Sequence, residues 1–235
     1  MAYDLGLCLR REGTAIDLKR SAPAGDHHPT NKWVPGEILR YAYTLPIPAD
    51  TASGTYELRL NLYLDGTDDP LLSDDLLLTQ IAVTHRQRLF AIPEVGFPVR
   101  VALGDEIEFL GYDLEEAHAR PGGTLHFTLY WRALKPSANS YKVFTHLLDG
   151  QSNIRGQCDG VPVMGERPTT GWVAGEVIVD PYELPIDGDA PAGPYHIEVG
   201  MYDPSTGERL PMTYEDGRTI EKRRTLFEQT VDIKD

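Results

Sequence analysis

The chain has 235 residues and sets 22 Lys and Arg against 36 Asp and Glu, a formal charge of −14. Its 41% hydrophobic content is enough to bury a core, and its length suits one large domain or two ordinary ones. The acidic balance argues against nucleic acid or anionic lipid as a partner, and two cysteines cannot build a disulfide framework or a four-cysteine zinc site.

Met1-Ala2 leads straight into Tyr3-Asp4-Leu5, without the basic and apolar regions of a signal peptide. No apolar run approaches the ~20 residues of a membrane-spanning helix. The chain therefore reads as soluble as given. Residues 33–63, WVPGEILRYAYTLPIPADTASGTYELRLNLY, match residues 172–202, WVAGEVIVDPYELPIDGDAPAGPYHIEVGMY, without a gap at an offset of 139. Trp33/Trp172, Glu37/Glu176, Tyr43/Tyr182, Leu45/Leu184, Gly54/Gly193, Tyr56/Tyr195 and Tyr63/Tyr202 are among the identical pairs. A weaker match sets 3–9 against 141–147 at an offset of 138. A period this long has the size of a whole β-sandwich, not of a solenoid repeat.

In the first copy Tyr56, Leu58, Leu60 and Leu62 alternate with Glu57, Arg59, Asn61 and Tyr63, the period of a half-buried strand. An acidic hairpin follows, with Asp65, Asp68, Asp69, Asp74 and Asp75. Residues 86–102 read as a linker rich in aromatic and aliphatic side chains. Beyond it seven strands are predicted, near 105–114, 123–134, 141–149, 153–159, 175–184, 194–202 and 225–233. The apolar phase slips within the first of them, and Gly111 at the slip predicts a bulge. Leu125, Phe127, Leu129 and Trp131 alternate with His126, Thr128, Tyr130 and Arg132, and Tyr195, Ile197, Val199 and Met201 with His196, Glu198, Gly200 and Tyr202, one face in and one face out. Residues 115–119 allow one helical turn at most. Turn residues separate the strands, as in Pro121-Gly122-Gly123 and Pro191-Ala192-Gly193.

The expected fold is all-β: two tandem immunoglobulin- or fibronectin-III-like antiparallel sandwiches, the first lacking its opening strands. Residues 1–85 form the incomplete copy, 86–102 the linker and 103–235 the complete seven-stranded copy. Of the net charge, −4 falls on 1–98 and −10 on 99–235. The first copy has no stretch equivalent to 103–140, so either another segment fills the gap, with 86–101 as one candidate, or a sheet edge is left open.

Six stretches carry a family resemblance: LGYDL (110–114), PGGTLHFTLYWRAL (121–134), VFTHLLD (143–149), QCDGVPV (157–163), RPTTGWVAGEVIVDPYELPI (167–186) and AGPYHIEVGMYDPSTGERLPM (192–212). Together they resemble the soluble C-terminal β-sandwich region of bacterial multi-pass membrane glycosyltransferases of the mannosyltransferase type. The resemblance spans 103–233 well and 3–83 in part. It implies an extracytoplasmic location, tethered in a longer parent protein beside a lipid-linked sugar enzyme. It implies no catalysis here, because in that family the chemistry belongs to the membrane-embedded part.

Among candidate site residues, exposed aromatics are the best ligand feature. Trp33 and Trp172 precede a strand in both copies, and Tyr63, Tyr202 and Tyr130 fall on the outward phase, with Tyr43 and Tyr182 as further candidates. Such rings stack on sugars, although repeated aromatics in a sandwich more often fill the core. Asp65, Asp68 and Asp69 are the metal candidates, with Ca²⁺ as the ion, but they lack EF-hand spacing. Asp187 and Asp189 are a weaker version. Glu37 and Glu176 read as structural residues at strand starts. Adjacent His27 and His28 make a poor chelate, and His146 is expected to pack or to hydrogen-bond locally. Cys8 and Cys158 read as isolated thiols. No cofactor and no nucleic acid are expected. The expected function is a non-catalytic accessory or interaction domain, meeting a glycan or a membrane-protein partner, or a second copy through the incomplete sandwich. The alternative is a carbohydrate-binding module.

Overall fold

A computed structural model describes residues 1–25, 28–84 and 86–234. The chain divides into two compact units, Met1–Arg86 and Gln87–Asp235. It is all-β with antiparallel sheets, apart from one short parallel pair in the second unit.

The first unit holds β1 (Tyr3–Arg11), β2 (Thr14–Ser21), β3 (Gly54–Leu64) and β4 (Leu76–Val83), in the order β2-β1-β3-β4. The β1/β3 register sets Leu5, Leu7 and Leu9 opposite Leu62, Leu60 and Leu58, so one face is leucine-rich. Leu7, Leu9 and Tyr56 are buried, but Leu5, Leu58, Leu60 and Leu62 are only half-buried. No second sheet lies among the described residues of this unit, so the expected truncated sandwich is a single sheet. Residues 33–53 carry strand-like alternation yet contain no strand.

The second unit is a full sandwich. One sheet contains β9 (Lys142–Leu148), β10 (Ile154–Gln157), β12 (Gly193–Tyr202), β14 (Thr225–Leu226), β15 (Val231–Ile233) and β7 (His118–Ala119). Its order is β10-β9-β12-β15-β7, with β14 also on β12. The other sheet has β5 (Phe97–Leu103), β6 (Ile107–Leu114), β8 (Thr124–Ala133), β11 (Val177–Pro185) and β13 (Met212–Tyr214), in the order β11-β8-β6-β5-β13. Inward residues of the two sheets make one core. Leu125, Phe127, Leu129 and Trp131 from β8 share it with Tyr195, Ile197, Val199 and Met201 from β12. The phases predicted for both strands therefore hold.

The first six predicted strands are present, and the seventh, 225–233, is split into β14 and β15 with residues 227–230 in neither. The Gly111 bulge is also present, as a register shift between Phe109 and Gly111. Gly111 has φ 144°, and a Cβ there would lie 2.2 Å from the Phe97 carbonyl oxygen, so only glycine fits.

The segment 86–102 is not merely a linker, because β5 begins at Phe97 and pairs with β6 and β13. Ahead of it, Val95 packs on Leu110, Tyr130 and Val177, and Leu89 bridges Val177. Residues 115–119, which allow one helical turn at most, form none, and the β7 residues His118–Ala119 pair in parallel with β15.

Local geometry recurs at the sequence offset. Tyr56 Oη donates to the Ala52 carbonyl (2.9 Å) and Tyr195 Oη to the Pro191 carbonyl (2.7 Å). Both are tyrosine corners, which fix the turn into a Greek-key strand. Trp33 and Trp172 donate their indole N–H to carbonyls five residues upstream, His28 (3.1 Å) and Arg167 (2.9 Å). The Tyr3 and Tyr141 amides donate to Thr30 and Thr169 Oγ1 at 2.7 and 3.0 Å.

Candidate functional site

The aromatic candidates do not form one surface. Trp172 is 1% exposed and belongs to the core, so it offers no ring face to a ligand. Tyr182 is also a core residue, stacked on Phe127 at 5.4 Å. Tyr130 points outward as predicted, but Val95 and its neighbours cover it, and its hydroxyl donates to Asp113 at 2.7 Å. Burial and that carboxylate push its pKa up to about 12. Tyr63 is half-buried: its ring packs over Gly6, and the Arg20 guanidinium sits 4.1 Å from its centroid. Trp33 is 41% exposed and Tyr43 is half-buried, both in the first unit. Tyr202 is half-buried and has Lys142 as its cross-strand partner.

The acidic hairpin does not gather its carboxylates into one cluster. Asp65, Asp68 and Asp69 are exposed, and Asp68 pairs with Arg20 at 2.7 Å. Among the described residues no group of three or more His, Cys, Asp or Glu is arranged to hold a metal ion. Asp187 and Asp189 are likewise exposed. Glu176 stands at a strand start as expected, just before β11, whereas Glu37 precedes no strand; each accepts the amide of the residue three positions back, at 3.1 and 3.2 Å. The buried Glu176 also pairs with Arg88. Both cysteines are free thiols. His27 and His85 lie outside the described residues.

The second unit carries a groove of about 660 Å³ between the free edge of β11 and residues 158–165. Val161, Pro181 and Tyr182 contribute apolar surface, and Met164 and Cys158 add sulfur. Lys142, Asp159 and Glu183 supply charge. Burial, then the carboxylates of Asp159 and Asp180, raise the Cys158 thiol, which disfavours a thiolate nucleophile.

Two polar networks brace this region. Asp180 is fully buried on the inward phase of β11. Its Oδ2 accepts from Trp131 Nε1 and Tyr182 Oη, each at 3.0 Å, and its Oδ1 accepts the Val163 amide at 2.6 Å. Burial raises its pKa to about 6 against the pull of these three donors. The bond to Val163 holds a strained turn, with Val163 at φ 56° and Met164 at φ 51°. A β-branched residue is a rare occupant of that region.

On the outer face of β9 and β12, His146 lies 2.7 Å from Glu198 and 3.4 Å from Asp159. Arg209 reaches Glu198 at 3.3 Å and Arg224 also pairs with it. Asp159 and Glu198 raise His146 to about 9. Burial would raise Glu198, but His146 and the two arginines hold it at about 2. His146 thus makes the local bond expected of it, as an imidazolium rather than a neutral base.

Sequence reasoning missed Asp180 and the strained turn. The signal was an acid on the inward phase between Ile178 and Tyr182. A scan against protein-family models and a search of curated proteins find no match.

Proposed function

We propose that the chain is a non-catalytic interaction module, the accessory extracytoplasmic part of a membrane glycosyltransferase-like protein. On this reading the two units are copies of one sandwich plan, and the first meets its partner through the half-buried leucines of its sheet and residues 38–46. In this proposal membrane anchoring and sugar transfer belong to other segments of the parent protein; no helix of the described residues is long and apolar enough to cross a membrane.

The observation that carries the reading is the state of residues 38–46. Their counterpart, Val177–Pro185, pairs with β8 along its whole length. Residues 38–46 belong to no strand, with Ile38 94% exposed and Leu39 and Tyr41 also exposed. A segment of strand pattern beside a half-covered leucine face offers backbone groups for pairing and apolar area for burial.

The test is hydrogen exchange on the full chain titrated with a peptide of residues 124–134, the sequence that pairs with β11. Saturable protection at 38–46 is expected. Unchanged exchange there at millimolar peptide contradicts the pairing. The membrane half of the reading is tested by sequencing the transcript that encodes the chain. In-frame apolar spans of ~20 residues are expected, and a transcript without them overturns it.

A further inference from the structure

We propose that the groove between β11 and residues 158–165 binds a neutral saccharide. This site is separate from the first-unit surface that carries the interaction reading, and neither proposal depends on the other.

The edge of β11 decides what kind of ligand the groove can take. The Val177 amide donates to Leu89 and the Asp187 amide to Arg155, both on the side away from β8. The β11/β8 register has no bulge, so the odd-numbered residues between them present their backbone to that same side. Positions 181 and 185 are prolines and have no N–H. Only Val179 and Glu183 keep an outward amide, and both ends of the edge are occupied. An added peptide strand would find only two donors there, so side chains supply most of the polar groups a ligand can meet.

Those side chains suit a polyol with an apolar face. Asp159 and Glu183 can accept from ligand hydroxyls, and Lys142 can donate to them. Pro181, Val161 and Met164 offer apolar surface to the C–H face of a sugar ring. Asp159, already paired with His146, and Glu183 stand against the one ammonium of Lys142, which leaves no excess of positive charge to hold an anion on a chain of charge −14. The volume lies within the range of small-molecule sites.

The backbone is shaped for the same end. The Val163–Met164 turn is held in a costly conformation by the buried Asp180, and it leaves Met164 87% exposed. Strain kept by a buried hydrogen bond is common at ligand clamps. Gly160 and Gly165 border open space, since a Cβ at either meets nothing within 4 Å. Gly160 is not among the glycines with positive φ, so a larger side chain fits there without backbone strain.

The test is a titration of ¹⁵N-labelled full chain with neutral tri- and tetrasaccharides of glucose, mannose, galactose and N-acetylglucosamine. A polyuronate and an oligolysine serve as charged probes. At least one neutral probe is expected to give saturable shifts at 158–165 and 181–183. Gly160→Phe fills the groove and should weaken that binding at least tenfold while keeping the wild-type melting temperature. Glu183→Gln, at an exposed position, serves as a second variant and should weaken binding several-fold. Absence of groove shifts with every neutral probe overturns the proposal. Binding that survives both variants, or groove shifts with a charged probe alone, also overturns it.

Discussion

Residues 38–46 and 177–185 read ILRYAYTLP and VIVDPYELP, with the same alternation and the same Tyr and Leu positions. In the second unit Ile178, Asp180, Tyr182 and Leu184 are all buried, and the segment is strand β11. In the first unit Leu39 and Tyr41 are exposed, Tyr43 and Leu45 are half-buried, and the segment has no strand. The difference lies in the neighbours. β11 has β8 to complete its hydrogen-bond ladder and a second sheet to bury its side chains. The first unit offers 38–46 neither, so water solvates its backbone. Strand pattern is a fit to a half-buried surface, and without that surface it does not produce a strand.

The two units should respond unequally to the same kind of damage. Trp131→Ala removes a fully buried ring and a donor to Asp180, and should destabilise the second unit by about 3–5 kcal/mol. Leu60→Ala, at a half-buried position of the first unit, should lower stability by about 1 kcal/mol. Denaturant melts of both variants measure the gap, and equal losses would break the comparison.

Two pH effects belong to the second unit. Asp180 is raised in the folded state, so the native form holds its proton more tightly. Stability should fall as pH rises from the ordinary carboxylate range to about 6, by on the order of 3 kcal/mol. Asp180→Asn should remove that slope. His146, also raised, contributes stability that is full below about 6.5 and is lost as pH rises through about 9. Glu198, held low, contributes above its ordinary range and loses this only as pH falls to about 2. Melts of wild type and His146→Gln from pH 6 to 9.5 should converge, and parallel curves would count against the ion network.

The smallest effect sharpens the comparison. Tyr56→Phe and Tyr195→Phe each remove one corner hydrogen bond and should each lower stability by about 1 kcal/mol. Near-equal values would show that the corner is local to each sheet and independent of the second layer.

Much of the second unit was legible because its strands alternate cleanly. Leu125 to Trp131 and Tyr195 to Met201 gave the correct inward faces, and Gly111 marked its bulge. The strand Phe97–Leu103 was hidden by Pro98 and by Arg100, whose φ of 59° sits at a register shift with β6. Trp33 and Trp172 have similar local sequences, PTNKWVPGE and PTTGWVAGE, and make the same indole hydrogen bond, yet only Trp172 has a second sheet to bury it. Tyr130 read correctly as outward, but alternation along β8 carries no information about residues 89–96 that cover it. The groove was illegible because it needs β11, Lys142 and residues 158–165 brought together across the fold.

The most direct test of the contrast is residue-resolved amide exchange in the intact, unliganded chain. Even-numbered β11 amides that face β8 should exchange at least roughly a thousandfold more slowly than an unstructured peptide, because they open only with the whole sandwich. Amides of 38–45 should exchange within about tenfold of the unstructured rate. Comparable protection in the two segments would contradict the account, because it would mean that 38–46 forms a strand without the partner that β11 requires.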